Sequence, residues 1–209
     1  MKKIKAILFD MDGVLVDAKD WHYEALNKAL RLFGFEITRS EHLKNYDGLP
    51  TVVKLKILTK EKGLPEGLHS FINEIKQQYT YSIAFNNCKP RFIHEFALSK
   101  LKSQGYKIAI CSNSIRDSIA MMMERAALLK YADVVISNQD VKKPKPDPEM
   151  YIEAAKKLGV KPEECLILED NENGIKAAQA SGGNLMIIKT PDEVNYGKII
   201  SRIKEIEAK

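Results

Sequence analysis

An apolar run at residues 4–9, Ile-Lys-Ala-Ile-Leu-Phe, stops abruptly at two aspartates one residue apart, Asp10 and Asp12, with Gly13 directly behind them. A strand-length run that is largely apolar is what a strand covered on both faces requires. Covering both faces calls for helical crossovers, so this run restricts the chain to a mainly parallel α/β sheet. Ending the run in carboxylates places charge where helix packing stops, which is where open α/β sheets bind ligands. Gly13 lets the backbone turn sharply beside them. A helix N-cap accounts for one aspartate readily and for the pair poorly, so the pair reads equally as a nucleophile and a proton carrier.

The rest of the chain extends the pattern. Residues 20–35 repeat apolar side chains at helical spacing (Trp21, Ala25, Leu26, Ala29, Leu30, Phe33). Helix-like stretches continue to about residue 83, broken at Gly48-Leu49-Pro50 and Gly63-Leu64-Pro65, with no convincing strand. Beyond them helix and strand alternate: a helix at 92–104, strands at 106–111, 133–137, 165–168 and 185–188, and helices between and after them. Asp147-Pro148-Glu149 opens one of these helices, with Asp as cap and Pro in the first turn. The expected fold is α/β: a Rossmann-like three-layer core with a parallel sheet at 1–16 and 86–209, and a small helical cap domain at 17–85 inserted after the first strand. An insert leaving the chain just after Asp12 is placed to cover the carboxyl ends of the strands.

Composition narrows the partners. Three widely spaced cysteines, Cys88, Cys111 and Cys165, argue for reduced thiols in a cytoplasmic setting and against a disulfide framework. No apolar run approaches the about 20 residues of a membrane span. The net charge of +5 comes from lysines scattered over many segments, without interleaved aromatics, which argues against a nucleic-acid surface. The expected partners include no nucleic acid and no membrane, and the chain is expected to be a monomer.

Four strand ends carry polar groups. They are Asp10 and Asp12, Ser112 and Asn113, Lys143 within Lys142-Lys143-Pro144-Lys145-Pro146, and Glu169 and Asp170. Taken singly, Ser-Asn is a helix cap, Lys143 a solvated loop residue and Glu-Asp a helix start. In one parallel sheet all these ends meet on one side. Two carboxylates about 4 Å apart repel by about 4 kcal/mol at an effective dielectric of about 20, so such a cluster needs a cation. Oxygen ligands without a His or Cys cluster point to Mg²⁺. Carboxylates, Mg²⁺ and a lysine around an anion are the components of phosphoryl transfer.

With Asp10-Met11-Asp12-Gly13-Val14, Ser112-Asn113, Lys143-Pro144-Lys145-Pro146-Asp147 and Glu169-Asp170-Asn171-Glu172-Asn173-Gly174-Ile175, the chain resembles the haloacid dehalogenase superfamily of phosphohydrolases. The similarity is to the branch with a small helical cap that includes β-phosphoglucomutase and phosphoglycolate phosphatase. The resemblance implies a Mg²⁺-dependent phosphomonoester hydrolase acting on a small phosphorylated metabolite, such as a sugar phosphate. It implies that Asp10 becomes an aspartyl-phosphate and that Asp12 is the general acid, then the base. Ser112 and Lys143 would hold phosphoryl oxygens, with Asn113 nearby. Asp10, the Asp12 backbone carbonyl and Asp170 would bind Mg²⁺, with Glu169 behind them.

In the cap and hinge, His22, Thr51 and Lys76 are candidate substrate contacts. Thr51 stands about where the mutases carry an Arg that grips a second phosphate, which weakens the alternative of a β-phosphoglucomutase-like isomerase. Where the family has a Pro-Gly pair at re-entry to the core, this chain has Asn87-Cys88-Lys89-Pro90-Arg91, an altered hinge. A phosphoryl-accepting switch without enzyme activity is a remote alternative, since in such switches the acidic pair ends the first strand and the phosphorylated Asp ends the third.

Overall fold

The computed structural model describes residues 3–208 of the chain. Five parallel strands, β1 (Ala6–Phe9), β2 (Lys107–Cys111), β3 (Val134–Ile136), β4 (Cys165–Glu169) and β5 (Asn184–Ile187), form one sheet in the order β3-β2-β1-β4-β5. The apolar run that ends in the aspartates is thus the central strand. Its register sets Phe9 beside Ile110 of β2 and Leu168 of β4, so the three strands end level with one another.

Alternation along these strands sorts side chains to the two faces. Ile7, Phe9, Ile108, Ile110, Leu166 and Leu168 pack on one side against α5 (Phe92–Ser103), α6 (Arg116–Arg125) and α9 (Tyr196–Glu207). Leu8, Ala109, Cys111 and Ile167 face the other way, against α7 (Glu149–Leu158) and α8 (Glu172–Ala180). Small residues from both partners, among them Ala6, Ala109, Ala154 and Ala177, bring these two helices close to the sheet. The Asp147 carboxylate accepts the Glu149 N–H at 3.0 Å, so α7 begins on its expected cap. All three cysteines are free and buried.

Between β1 and α5 the chain is helical: α1 (Lys19–Arg31), a short α2 (Arg39–Glu41) running into a π-helical turn at His42–Tyr46, α3 (Thr51–Lys62) and α4 (His69–Asn87). These helices gather a separate apolar cluster around Leu26, Leu30, Tyr46, Leu55, Leu58 and Ile72. Their loop at residues 47–50 docks on the core. The Asn113 side-chain amide donates to the Gly48 carbonyl at 2.8 Å and that of Asn173 to the Asp47 carbonyl at 3.3 Å. No helix among the described residues is long and apolar enough to cross a membrane.

The central strand should dominate stability. Leu8→Ala, at a fully buried β1 position, is expected to cost about 3 kcal/mol and to lower Tm by roughly 10 °C. Leu185→Ala on the half-buried edge strand β5 should cost clearly less. Equal losses in thermal melts would contradict this account of the core.

Candidate active site

Asp10 directly follows β1, where it is buried. Its backbone N–H donates to the Leu168 carbonyl at 3.0 Å, which ties it to β4. One carboxylate oxygen, Oδ1, accepts from Lys145 Nζ at 2.6 Å. The same ammonium donates to Glu169 Oε1 at 2.6 Å and to the Cys111 carbonyl at 2.9 Å, so three strand ends meet on one cation. Tyr151 of α7 also donates to Glu169 Oε1, and its ring lies 4.8 Å from the ammonium. The other oxygen of Asp10, Oδ2, is buried and has no hydrogen-bond partner among the described residues.

The lysine is not the expected one. Lys143 points outward with its side chain 74% exposed and 4.0 Å from Asp147, whereas Lys145 is 2% exposed and enters the site. Two clamps from elsewhere in the chain decide this. The Glu149 carboxylate accepts the backbone N–H groups of Lys142 and Lys143. The Asn113 side chain accepts the Lys145 N–H and donates to the Lys145 carbonyl, both at 3.1 Å. Asn113 is therefore spent on positioning rather than on a ligand. Its backbone N–H has no hydrogen-bond partner among the described residues, and the residue lines the cleft.

Asp12 turns toward the cap. Its carboxylate accepts from Ser112 Oγ at 3.4 Å and Ser114 Oγ at 3.3 Å, and it lies 3.1 Å from His22 Nε2. The other ring nitrogen of His22 is 3.3 Å from Lys76 Nζ. An ammonium can only donate, so Nδ1 accepts and Nε2–H donates to Asp12. Burial holds His22 below its ordinary pKa against the pull of Asp12, consistent with that neutral tautomer. Burial raises the Asp12 carboxyl, but His22, Lys76 and Ser114 outweigh it and leave the group below its ordinary value.

Oxygens of Asp10, Glu169 and Asp170 lie within 4.8 Å of one another. Glu169 is fully engaged: Lys145 and Tyr151 hold Oε1, while Oε2 accepts from the Asp170 N–H at 3.2 Å and from Asn171 Nδ2 at 3.4 Å. Asp170 Oδ2 is buried, and its one partner among the described residues is the Lys19 ammonium at 2.6 Å. Burial and the adjacent Glu169 push Asp10 well above the usual carboxylate range, with Lys145 opposing. Burial likewise raises Asp170, against Lys19. Two glycines make the crowding possible. A Cβ on Gly174 would sit 1.9 Å from the Glu169 carboxylate, and one on Gly13, at φ +90°, would sit 2.0 Å from Asp170 Oδ2.

The cleft above these groups holds about 100 Å³ and is walled by Asp10, Asp12, Ser112 and Lys145 from the core and by His22, Thr51, Lys54 and Lys76 from the cap. Thr51 begins α3, and Lys76 shares a face of α4 with Asn73 and Gln77. Sequence reasoning passed over Ser114, Lys145, Tyr151 and Lys54. Ser114 repeats the Ser112 hydroxyl two residues on. Lys54 shares a helical face with Leu58, and a lysine on an apolar stripe is a readable signal. Nothing in the sequence singles out Tyr151.

The model of the haloacid dehalogenase-like hydrolases matches residues 7–188. A phosphorylated carbohydrates phosphatase of Thermotoga maritima is 30% identical over 182 residues, covering 86% of this chain and 82% of its own length. A phosphoglycolate phosphatase of Aquifex aeolicus is 26% identical over 180 residues, with coverage of 86% and 82%. In fold, the chain is similar to a β-phosphoglucomutase of Clostridium difficile, with a TM-score of 0.82 at 24% identity over 99% of this chain and 100% of that one.

Two measurements check the site's electrostatics. Lys145→Met strands two buried carboxylates and should cost about 3–5 kcal/mol in denaturant unfolding, whereas Lys143→Met should stay within about 0.5 kcal/mol. Similar costs would reject the assignment of Lys145. Separately, burial lowers Lys76 to about 7 and Lys54 to about 8. Unfolded lysines keep their protons to about pH 10. Between those values the unfolded chain binds more protons, so stability rises with pH. Unfolding free energy should climb by about 1 kcal/mol or more from about pH 7 to about pH 9. Lys54→Met should flatten that climb; a falling wild-type curve would show both lysines to be compensated.

Proposed function

The chain belongs to the haloacid dehalogenase-like hydrolases and is an enzyme of phosphatase type, and we propose that it is a Mg²⁺-dependent phosphomonoesterase that works on a small sugar phosphate through an aspartyl-phosphate at Asp10. The observation that carries this reading is the state of Asp10. One oxygen is fixed by Lys145, and the other is buried and unpartnered at the foot of a small cleft.

The donor set suits a hard cation. Asp10 presents a buried carboxylate oxygen without a hydrogen bond, and Asp170, ion-paired with Lys19, and Glu169 set further carboxylate oxygens within 4.8 Å of it. Asp10, Asp170 and the Asp12 backbone carbonyl would hold Mg²⁺. Bound there, the ion would offset the crowded negative charge and polarise the phosphoryl oxygens.

The chain's own groups supply the rest. Lys145 orients the Asp10 carboxylate, while Ser112 Oγ, Ser114 Oγ and the Asn113 N–H offer donors to a phosphoryl group. An Asp10 oxygen attacks phosphorus as the bond to the substrate's alcohol oxygen breaks. Asp12, a carboxylate before substrate enters, takes the proton of a monoanionic phosphomonoester and gives it to that leaving oxygen. Asp12, again a carboxylate, takes a proton from a water that attacks the phosphorus, releasing phosphate and restoring Asp10. His22, donating to Asp12 and held by Lys76, keeps the shuttling carboxyl aimed at the cleft.

The purified protein should release inorganic phosphate from sugar monophosphates without forming an isomer. Asp10→Asn should reduce the rate by about three orders of magnitude or more, and EDTA should stop it until Mg²⁺ is returned. Turnover that survives the substitution would remove Asp10 as the nucleophile. Turnover that survives thorough chelation would remove the metal.

A further inference from the structure

Lys19, the first residue of α1, is a cation that the phosphoryl-transfer steps leave unused. Its Nζ lies 2.6 Å from Asp170 Oδ2 and 3.9 Å from Asp47 Oδ2. Asp170 directly follows β4 of the core, and Asp47 stands in the cap loop that docks there. One ammonium thus touches a strand end and the cap loop while its backbone opens the first cap helix. The Asp170 side chain is 2% exposed and that of Lys19 32%, so the lysine reaches inward from the surface to a buried charge. A pair with one buried member escapes most of the screening that weakens surface pairs. Asn171 Nδ2 donates to the other carboxylate oxygen, Oδ1, at 3.2 Å, which leaves Oδ2 to Lys19. Gly13 makes the reach possible, since a Cβ there would sit 2.0 Å from Asp170 Oδ2 and 2.8 Å from Lys19 Cε. Lys19 also lines a second cavity, of about 620 Å³, whose walls include Asp17, Trp21, Cys88 and Arg91 from the two linkers between core and cap. Arg91 is paired there with Asp192 of the core, whereas Asp17 makes no ion pair among the described residues.

Asp170 is also a carboxylate assigned above to Mg²⁺, and an ammonium against it would repel a divalent ion on it at short range in a buried site. We propose that Lys19 is a tethered counter-ion of the metal site: it holds Asp170 until a divalent cation binds, then turns toward Asp47 and the hinge cavity. The inference rests on the Mg²⁺ reading of Asp10 and Asp170 and adds the residue that sets the ion's affinity. Each cation excludes the other from Asp170, so whatever the ion pair contributes to the fold is subtracted from metal binding. The same exchange couples the metal to the cap. The displaced ammonium stays on α1, and its remaining carboxylate partner, Asp47, lies on the loop that docks the cap. Lys19 is a positioning residue that acts through Asp170 and leaves bond breaking to Asp10 and Asp12.

The test is calorimetric titration of Mg²⁺ into full-length wild-type and Lys19→Met protein, each first stripped with EDTA. Lys19→Met should bind Mg²⁺ about tenfold or more tightly than wild type. It should also melt at a lower temperature without Mg²⁺, and the gap should narrow at saturating Mg²⁺, where neither protein keeps the ion pair. Lys19→Arg retains the charge and should stay within about threefold of the wild-type affinity. Mg²⁺ affinity that Lys19→Met leaves unchanged would overturn the proposal. So would a weaker affinity, which would make Lys19 a support for Asp170 rather than its competing cation. Should Lys19→Met not fold, the wild-type protein carries the test through amine acetylation read by mass spectrometry. Saturating Mg²⁺ should make the Lys19 amine react faster while buried Lys145 stays protected, and a Lys19 rate that Mg²⁺ does not raise would overturn the proposal. No Mg²⁺ binding by either protein would reject the metal reading itself and this inference with it, whereas binding that Lys19→Met fails to strengthen rejects this inference alone.

Discussion

The buried ammonium of Lys145 holds this site together. It reaches Asp10 after β1, the Cys111 carbonyl at the end of β2 and Glu169 at the end of β4. The level strand register makes that reach possible, because Phe9, Ile110 and Leu168 stand side by side. Without the cation, two carboxylates would share a dry pocket, and at least one would keep its proton. With it, one oxygen of Asp10 is fixed while the other stays free for chemistry. The same contact therefore ties three strand ends together and orients the Asp10 carboxylate.

The remaining charge is divided between two walls. On the core wall three carboxylates, Asp10, Glu169 and Asp170, meet two cations, Lys145 and Lys19, and the buried Asp10 oxygen without a hydrogen bond shows the deficit. On the cap wall the imbalance is reversed, with Lys54 and Lys76 lacking carboxylate partners within ion-pair distance. Asp12 and His22 form the seam, since Asp12 leaves the core strand and His22 leaves the first cap helix. Docking of the 47–50 loop through Asn113 and Asn173 brings the walls together. Asn113 has a further duty, because the same side chain fixes the backbone of Lys145.

Much of this was legible in the residues. The apolar runs before Asp10, Ser112 and Glu169 identified buried strands, since a strand with both faces covered has no polar positions to blur it. Gly63 and Gly159 ended helices where expected, each in the left-handed conformation. The order of the motifs placed Asp10, Asp12, Glu169 and Asp170 on one side of a parallel sheet, where they lie. Lys143 was the miss. Lys142, Lys143 and Lys145 share one loop, and no periodicity separates them.

The sequence by itself determined the sheet, the helical insert and the acidic strand ends, because hydrophobic periodicity and turn residues act over a few positions and need no distant partner. Only the tertiary structure decided which lysine enters the site, that Asn113 is a clamp, and that Lys54 faces the cleft without a counter-charge. Those outcomes depend on contacts such as Asn113 with Lys145 and Glu149 with the amides of residues 142 and 143. A side chain's direction in a loop is set by whatever the rest of the chain packs around it, and that exists only once the chain has folded.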